Sequence, residues 1–484
     1  EAAVDRYNAE VKQEKNGYAK RLAGFFAERI YVREYPEGEL GAAVVGFINR
    51  AGAGAAGLEY SMNSTLAGVN GEYTYANAAG TIIPGTQKIT SEAIRGNTIR
   101  LTIDRDVQWV AQEAIRTVVK SSRALSGTVI VMNPKTGAIL AHATYPSFTP
   151  GNTKGVDPYR WQNPSVQEVY EPGSTGKVIT VASAMEEGKI APETVMTIPY
   201  KLKRSNKVFH DHEPHPVQKL TLAGALAVSS NTGAIKVGEM LSNDKLHSYL
   251  KKFGIAQKPG SGLPGEESGK LLNVRDWSGT TAPTVAFGQG YSVTALQATS
   301  VFATIANDGV RVTPTVIAGV SDAAGRYTPA NKQKSVRVVS VGTAQKMRLM
   351  MESVVSASGT APSAAIPGYR VAGKTGTAQR VDDSCGCYRG YTASFIGFAP
   401  ADKPEFVVSV TIQDPKGLHW GGYLGGPVFK KVMSFVLKDQ HIAPTAPAEF
   451  MYALNEKDLQ ARIASEAAAT KKNSSSQSRV PIND

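Results

Sequence analysis

Long apolar runs, cysteine and clustered charge are all scarce in these 484 residues. No uninterrupted apolar stretch reaches the roughly 18 residues that signal a membrane-crossing helix, so none is expected within the sequence. The chain opens at Glu1 and reads as a processed or truncated ectodomain, with any signal or anchor upstream. Its two cysteines, Cys385 and Cys387, are spaced C-x-C. That is short for a structural disulfide and supplies only two thiols for a metal, so a disulfide, free thiols and a metal all stay open. Lys and Arg outnumber Asp and Glu by 53 to 41, a net charge of +12. The cations are nevertheless dispersed: beyond KLKRSNK at 201–207 and a few KK pairs there is no basic block. The clustered footprint of a nucleic-acid binder is therefore missing, while attraction to an anionic polymer or membrane surface stays open.

With 42% hydrophobic and 19% charged residues, the chain has the composition of a folded protein. Its length exceeds what one core usually fills, so two or more units are expected. The first 90 or so residues are Gly-rich and mixed, with no obvious active centre. From 98 to 103 the pattern alternates as a strand, then Asp104 opens a helix with an apolar face at Val107, Val110, Ala111, Ala114, Ile115 and Val118. Two apolar strands around NPKTG, within 128–146, predict a β-hairpin. Helical patterns follow at 178–189, 218–256, about 293–308 and 343–357. The last third alternates strands and turns through YRVAGKTGTAQ, YTASFIGFAP and EFVVSVTIQDP. Strands early and late bracketing helices predict an α+β architecture, an antiparallel sheet with helices packed on it. After about 456 large apolar residues thin out, and a mobile end is expected.

YEPGSTGKVIT, at 170–180, places Ser174 and Lys177 three apart. A serine hydroxyl needs a base to become a nucleophile, and a helix starting at Ser174 would put both side chains on one face. The bland alternative is a helix cap beside a solvated lysine. ALAVSSNTGAIKVG carries Ser229 and Asn231, a hydroxyl and an amide two residues apart that could pass a proton and hold a substrate amide. YRVAGKTGTAQR carries Lys374, Thr375, Gly376 and Thr377 on a strand, where a glycine marks close approach of a ligand or another backbone. Each has its own bland reading as a loop, a cap or an edge strand.

In this order and separation, the three motifs resemble the S-x-x-K, S-x-N and K-T-G set of penicillin-binding proteins and serine β-lactamases. RGNTIRLTIDRDVQ, MNPKTGAILAHATYPSF, FGQGYSVTALQ, YTASFIGFAP and GGPVF extend the resemblance to class B, monofunctional penicillin-binding proteins. YPEGELGAAVVGF and GLEY are similar to the end of that family's N-terminal pedestal. The match is greatest to cell-division transpeptidases, and the CGC insertion resembles the actinobacterial branch. The resemblance implies a remnant of the pedestal, of dimerisation type, at 1–94, a transpeptidase domain at 95–445 and a partly disordered extension at 446–484.

It also implies acyl transfer without metal or organic cofactor. Ser174 would attack the carbonyl between the terminal D-alanines of a peptidoglycan stem peptide, from lipid II-derived strands, with Lys177 as base. Ser229 would relay a proton to the leaving amine and Asn231 would bind the donor amide. Lys374, Thr375, Gly376 and Thr377 would form the binding strand for the substrate carboxylate, and the Ser174 and Thr377 amides the oxyanion hole. β-Lactams would trap Ser174. Cell-wall polymerase or divisome membrane proteins are the implied partners, and the outer face of the cell membrane the implied location. In an oxidising envelope Cys385 and Cys387 would form a disulfide beside the cleft.

Two rivals accompany that reading: a D,D-carboxypeptidase, in which water takes the acyl group, and a non-catalytic β-lactam sensor or divisome scaffold. HDHEPH, with His210, His212 and His215, has some look of a metal site, since alternation would put 210 and 212 on one side of a strand. Its proline-rich setting and the lack of a second cluster favour a polar loop. Glu171 is acidic and near the nucleophile, but its surroundings in sequence do not make it a deacylating base.

Overall fold

The computed structural model describes residues 2–13, 32–78, 81–382, 385–448 and 450–477. Five strands form its central antiparallel sheet: β1 (Ser126–Met132), β2 (Ile139–Tyr145), β3 (Ala372–Asp382), β4 (Cys387–Ala399) and β5 (Phe406–Gln413). Their order is β3-β4-β5-β1-β2, so β3, which carries Lys374 to Thr377, is an edge strand. β1 and β2 are the hairpin expected around NPKTG, and Asn133 Oδ1 shapes its turn by accepting from the Lys135 and Thr136 amides at 2.9 and 3.1 Å.

The six helices that matter for the site are α1 (Arg105–Ser121), α2 (Lys177–Glu186), α3 (Asn231–Gly238), α4 (Ala295–Ala306), α5 (Val341–Val355) and α6 (Gly421–Asp439). The period-2 alternation of the strands divides them between two cores. Val129, Val131, Phe395, Val408 and Val410 face α1 and α6, meeting Ile115, Phe429 and Met433. Ile130, Met132, Ile396, Phe398 and Val407 face the other way, with Val178 of α2, Phe302 of α4 and Met347 of α5. Helices on both faces explain why every residue of β1 and β5 is buried. Each large apolar side chain so enclosed contributes about 1.5–3 kcal/mol relative to exposure, which makes the sheet a rigid mount for the residues on its edge.

Local signals account for most boundaries. Asp104 caps α1, its Oδ1 accepting from the Asp106 and Val107 amides at 3.0 and 3.1 Å. Thr294 and Gln297 form a reciprocal capping box at the start of α4, satisfying two otherwise unpaired donors. The continuous helical reading of 218–256 needs correction. Gln218–Thr221 is a strand, followed by separate helices at Leu222–Ala227, α3 and Asn243–Lys252. Thr221, Ser230 and Ser242 each cap the helix that follows, and caps outcompete helix continuation at such residues.

Part of the expected mobile end has regular secondary structure. Glu456–Gln477 is helical, its sequence rich in alanine and other good helix formers. Arg462 pairs with Glu193, and Leu454 O accepts from the Thr221 amide at 3.1 Å. Residues 478–484 of that expectation lie outside the described residues.

At the other end, Val44 and Leu58 join the same core as α2 and α4. The Gly41 amide donates to Gln112 Oε1 at 3.2 Å. Beyond them, Glu72–Thr74 pairs with Lys88–Ser91 in a small sheet of its own, while Thr98–Leu101 pairs with Ile317–Ser321. The chain thus passes from one sheet system to the other between residues 91 and 98.

Candidate active site

Ser174 lies in a 3₁₀ turn, Gly173–Gly176, that leads directly into α2. It does not cap the helix: Pro172 and Gly176 hold the cap positions, and no side-chain cap bond forms at either. Its hydroxyl instead meets Lys177 Nζ at 3.0 Å. The turn is held from two directions, since the Gly173 amide donates to Gly288 O at 2.8 Å and Thr175 Oγ1 donates to Pro172 O at 2.8 Å. Strand β3 runs alongside. A Cβ at Gly376 would lie 3.0 Å from Pro172 O and 2.3 Å from Ser394 Oγ, so only glycine lets the strand approach the nucleophile turn this closely.

Lys177 is 1% exposed and reaches across to the S-x-N loop. Nζ contacts Ser229 O at 2.5 Å and Asn231 Oδ1 at 2.8 Å, two oxygens that can only accept. A neutral amine satisfies both with its two N–H bonds and turns its lone pair towards Ser174 Oγ, the arrangement a general base requires. Burial holds the Lys177 pKa down to about 7, against the opposing charge of Asp211.

Ser229 sits in the left-handed region at φ 61°, an uncommon conformation for a non-glycine residue that functional sites tend to retain. It aims its hydroxyl between the two lysines: 3.2 Å from Lys177 Nζ and 2.8 Å from Lys374 Nζ. Lys374 is fully buried. Burial first, and then the neighbouring Lys177, hold its pKa well below the ordinary value. The structure therefore brings Ser174, Lys177, Ser229, Asn231 and Lys374 into one connected cluster.

The two threonines of the strand part company. Thr377 is partly exposed, and its Oγ1 accepts from the Gly421 amide at 3.2 Å, at the start of α6. Thr375 is only 7% exposed, its hydroxyl paired with Thr360 Oγ1 at 2.8 Å. Thr375 also forms a buried post beneath Lys374, whose Nζ lies 3.3 Å from Thr375 Oγ1.

Glu171 accepts from the Gly290 amide at 2.9 Å and from Tyr388 Oη at 3.3 Å; burial raises its pKa, with both donors opposing. Cys385 and Cys387 are joined, Sγ to Sγ 2.01 Å, at the tip of the β3–β4 hairpin. HDHEPH is no continuous strand: it ends at His210, so His210 and His212 do not alternate on one face. His212 packs against Trp420, ring centres 4.2 Å apart. Among the described residues no group of three or more His, Cys, Asp or Glu is placed to hold a metal. The sequence reading missed Asp211, Thr360 and Gly288. Asp211 stands inside HDHEPH, where no local pattern marks it, since its partner Asn231 lies 20 residues on.

A buried Ser–Lys pair, a second serine shared by two lysines and an adjoining free strand edge define a serine acyltransferase. Residues 127–434 match the penicillin binding protein transpeptidase domain. Penicillin-binding protein PbpB of Mycolicibacterium smegmatis is 36% identical over 433 residues, covering 87% of this chain and 67% of the relative. Peptidoglycan D,D-transpeptidase FtsI of Escherichia coli is 33% identical over 438 residues, covering 88% and 70%. A crystal structure of penicillin binding protein 3 from Mycobacterium tuberculosis, complexed with ampicillin, superimposes with a TM-score of 0.80 at 32% identity, covering 88% of this chain and 93% of that one. The chain belongs to the penicillin-binding protein transpeptidase family, in its class B, monofunctional D,D-transpeptidase branch, and is of the cell-division type.

Proposed function

We propose that this protein cross-links peptidoglycan stem peptides through an acyl-enzyme on Ser174, in septal wall synthesis, and that β-lactams inhibit it by acylating the same oxygen. The observation that carries the reading is Lys177: buried, tied by two carbonyl oxygens, and aimed at Ser174 Oγ at 3.0 Å. The donor strand lies along the open edge of β3, adding to the sheet as extended peptides do. Ser174 Oγ attacks the penultimate D-alanine carbonyl while its proton passes to Lys177 Nζ. The developing oxyanion is met by the Ser174 and Thr377 amides, donors worth about 3–4 kcal/mol each in comparable sites. The proton then moves from Lys177 through Ser229 Oγ to the leaving nitrogen, and D-alanine departs. An amine of a neighbouring stem attacks the ester, returns Ser174 Oγ its proton, and forms the cross-link.

Lys374 supplies positive charge beside Ser229 and, with Thr375 and Thr377, receives the donor carboxylate; Asn231 holds the donor amide. Residues 1–94 act as the pedestal remnant, 95–445 as the catalytic domain and 446–484 as an extension. Such a substrate places the protein on the outer face of the cell membrane, working with wall polymerase and divisome proteins. No helix among the described residues is long and apolar enough to cross a membrane.

Incubation with a penicillin followed by peptide mass mapping should find one adduct, on Ser174, absent from Ser174→Ala. Adducts elsewhere would overturn the assignment. A stem-peptide donor supplied with an acceptor amine should then give cross-linked dimer; exclusive release of hydrolysed peptide would make the enzyme a carboxypeptidase.

A further inference from the structure

Behind the S-x-N loop lies a carboxylate that the acyl-transfer scheme does not use. Asp211 follows the Lys201–Arg204/Lys207–His210 hairpin and is 6% exposed. Its Oδ1 accepts from the Asn231 and Thr232 amides, at 2.5 and 2.9 Å. Oδ2 accepts from Ser230 Oγ at 2.7 Å and faces His215 Nε2 at 3.0 Å. The start of α3, with its cap Ser230 between Ser229 and Asn231, is thus fastened by one side chain from another element. Asn231 Nδ2 adds a bond to His210 O at 3.1 Å, from the same hairpin.

His215 completes the arrangement. Its Nδ1 lies 2.6 Å from Pro216 O and its Nε2 faces Asp211, so both ring nitrogens meet atoms that only accept. Only the doubly protonated imidazolium satisfies both. Burial disfavours that cation, but the Pro216 carbonyl and Asp211 together raise the His215 pKa. The other titratable or charged groups around the pair are Lys177 on α2, Tyr200 just before the hairpin and His210 at its end.

We propose that Asp211 and His215 form a positioning ion pair, in which Asp211 holds Ser229 and Asn231 in register with Lys177 while His215 moderates the negative charge that the lysine feels. The proposal rests on the acyl-enzyme reading of Ser174. Its consequence is a pair of opposite effects. Removing the Asp211 charge makes Lys177 easier to deprotonate, whereas removing the His215 cation leaves Asp211 uncompensated and makes Lys177 harder to deprotonate.

The test is the second-order rate of acylation by a fluorescent penicillin from pH 5 to 9, on native protein, D211N, D211A and H215Q, with melting temperatures recorded. D211N keeps the shape and should stay folded, yet lose about tenfold in plateau rate through the weakened charge-assisted cap. Its acid limb should move about one pH unit down, and that of H215Q about half a unit up. Limbs that move together, or a D211N profile matching native, overturn the proposal. Hydrogen exchange gives an arm independent of acylation. The Asn231 and Thr232 amides should exchange at least about tenfold faster in D211N than in native protein, and unchanged protection overturns the positioning role. Native protein that fails to be acylated while these amides do lose protection would refute the acyl-enzyme reading and leave the cap standing.

Discussion

Lys177, on helix α2, and Lys374, on strand β3, approach the same hydroxyl: Ser229 Oγ lies 3.2 Å from one Nζ and 2.8 Å from the other. Two buried ammonium groups this close repel, and neither has a carboxylate within bonding distance. The cluster therefore favours carrying less than two full charges at neutral pH, which leaves one amine free to act as a base.

Acylation should accordingly depend on pH through Lys177. The lysine accepts the Ser174 proton only when neutral, and its pKa is held down to about 7. The rate should be at its plateau above that value and fall about tenfold per unit well below it. Lys177→Arg, which cannot give up its proton, should lose about 10²–10⁴-fold at every pH. A rate independent of pH from 5 to 8 in native protein would refute this assignment of the base.

How much of this was legible in the sequence follows from the range of each interaction. Asp104, the NPKTG turn and the strand alternation act within a few residues, so α1, β1 and β2 could be read directly. Ser174, Lys177, Ser229, Asn231 and Lys374 were legible through motif order, though not through any local pattern. Asp211, Thr360 and Gly288 escaped because their partners are distant: Asp211 serves Asn231, 20 residues on, and Thr360 serves Thr375, 15 residues on. The pairing of Thr375 with Thr360 could not be read, because sequence does not tell which strand positions have a buried partner waiting. The tail helix was not read because low apolar content excludes a core without excluding a helix.

His142 should make stability depend on pH. It is buried with Nε2 against Ser165 Oγ at 2.7 Å, and burial lowers its pKa from 6.5 to about 4. The folded state therefore prefers the neutral ring. As pH falls from about 6.5 the unfolded chain takes up a proton that the native state refuses, and stability declines until about pH 4, where the native ring also protonates. The full loss is about 3 kcal/mol. Denaturant titrations at pH 7 and pH 4.5 should show a smaller difference in His142→Gln than in native protein; equal differences would discard this source of acid sensitivity.

Gly288 should resist substitution more than any ordinary loop glycine. At φ +93° a Cβ would lie 1.8 Å from Gly173 O, in the turn that presents Ser174. Gly288→Ala should cost more than about 2 kcal/mol through strain and overpacking and slow acylation as well. Gly342 offers a control, because a Cβ there meets nothing within 4 Å and the residue lies in α5. Gly342→Ala should leave acylation unchanged and stability neutral or slightly raised. Equal thermal shifts in the two variants would contradict the close approach at Gly288.

Release of the acyl group by water should be slow. A hydrolytic water needs a base beside the ester, and Glu171, the acidic residue near the nucleophile in sequence, is already engaged by the Gly290 amide and Tyr388 Oη. Lys177 is tied to Ser229 and Asn231, and Asp211 is occupied by the α3 amides, Ser230 and His215. A chromogenic β-lactam should therefore show a burst of about one equivalent per chain and then little further change, since the covalent intermediate accumulates when its second step lacks activation. Freeing Glu171 with Tyr388→Phe should leave that burst stoichiometric, because the Gly290 amide still holds the carboxylate. Sustained hydrolysis at many turnovers per second by the native protein would mean that a base for water exists in the cleft, and would move the enzyme from transpeptidase to β-lactamase chemistry.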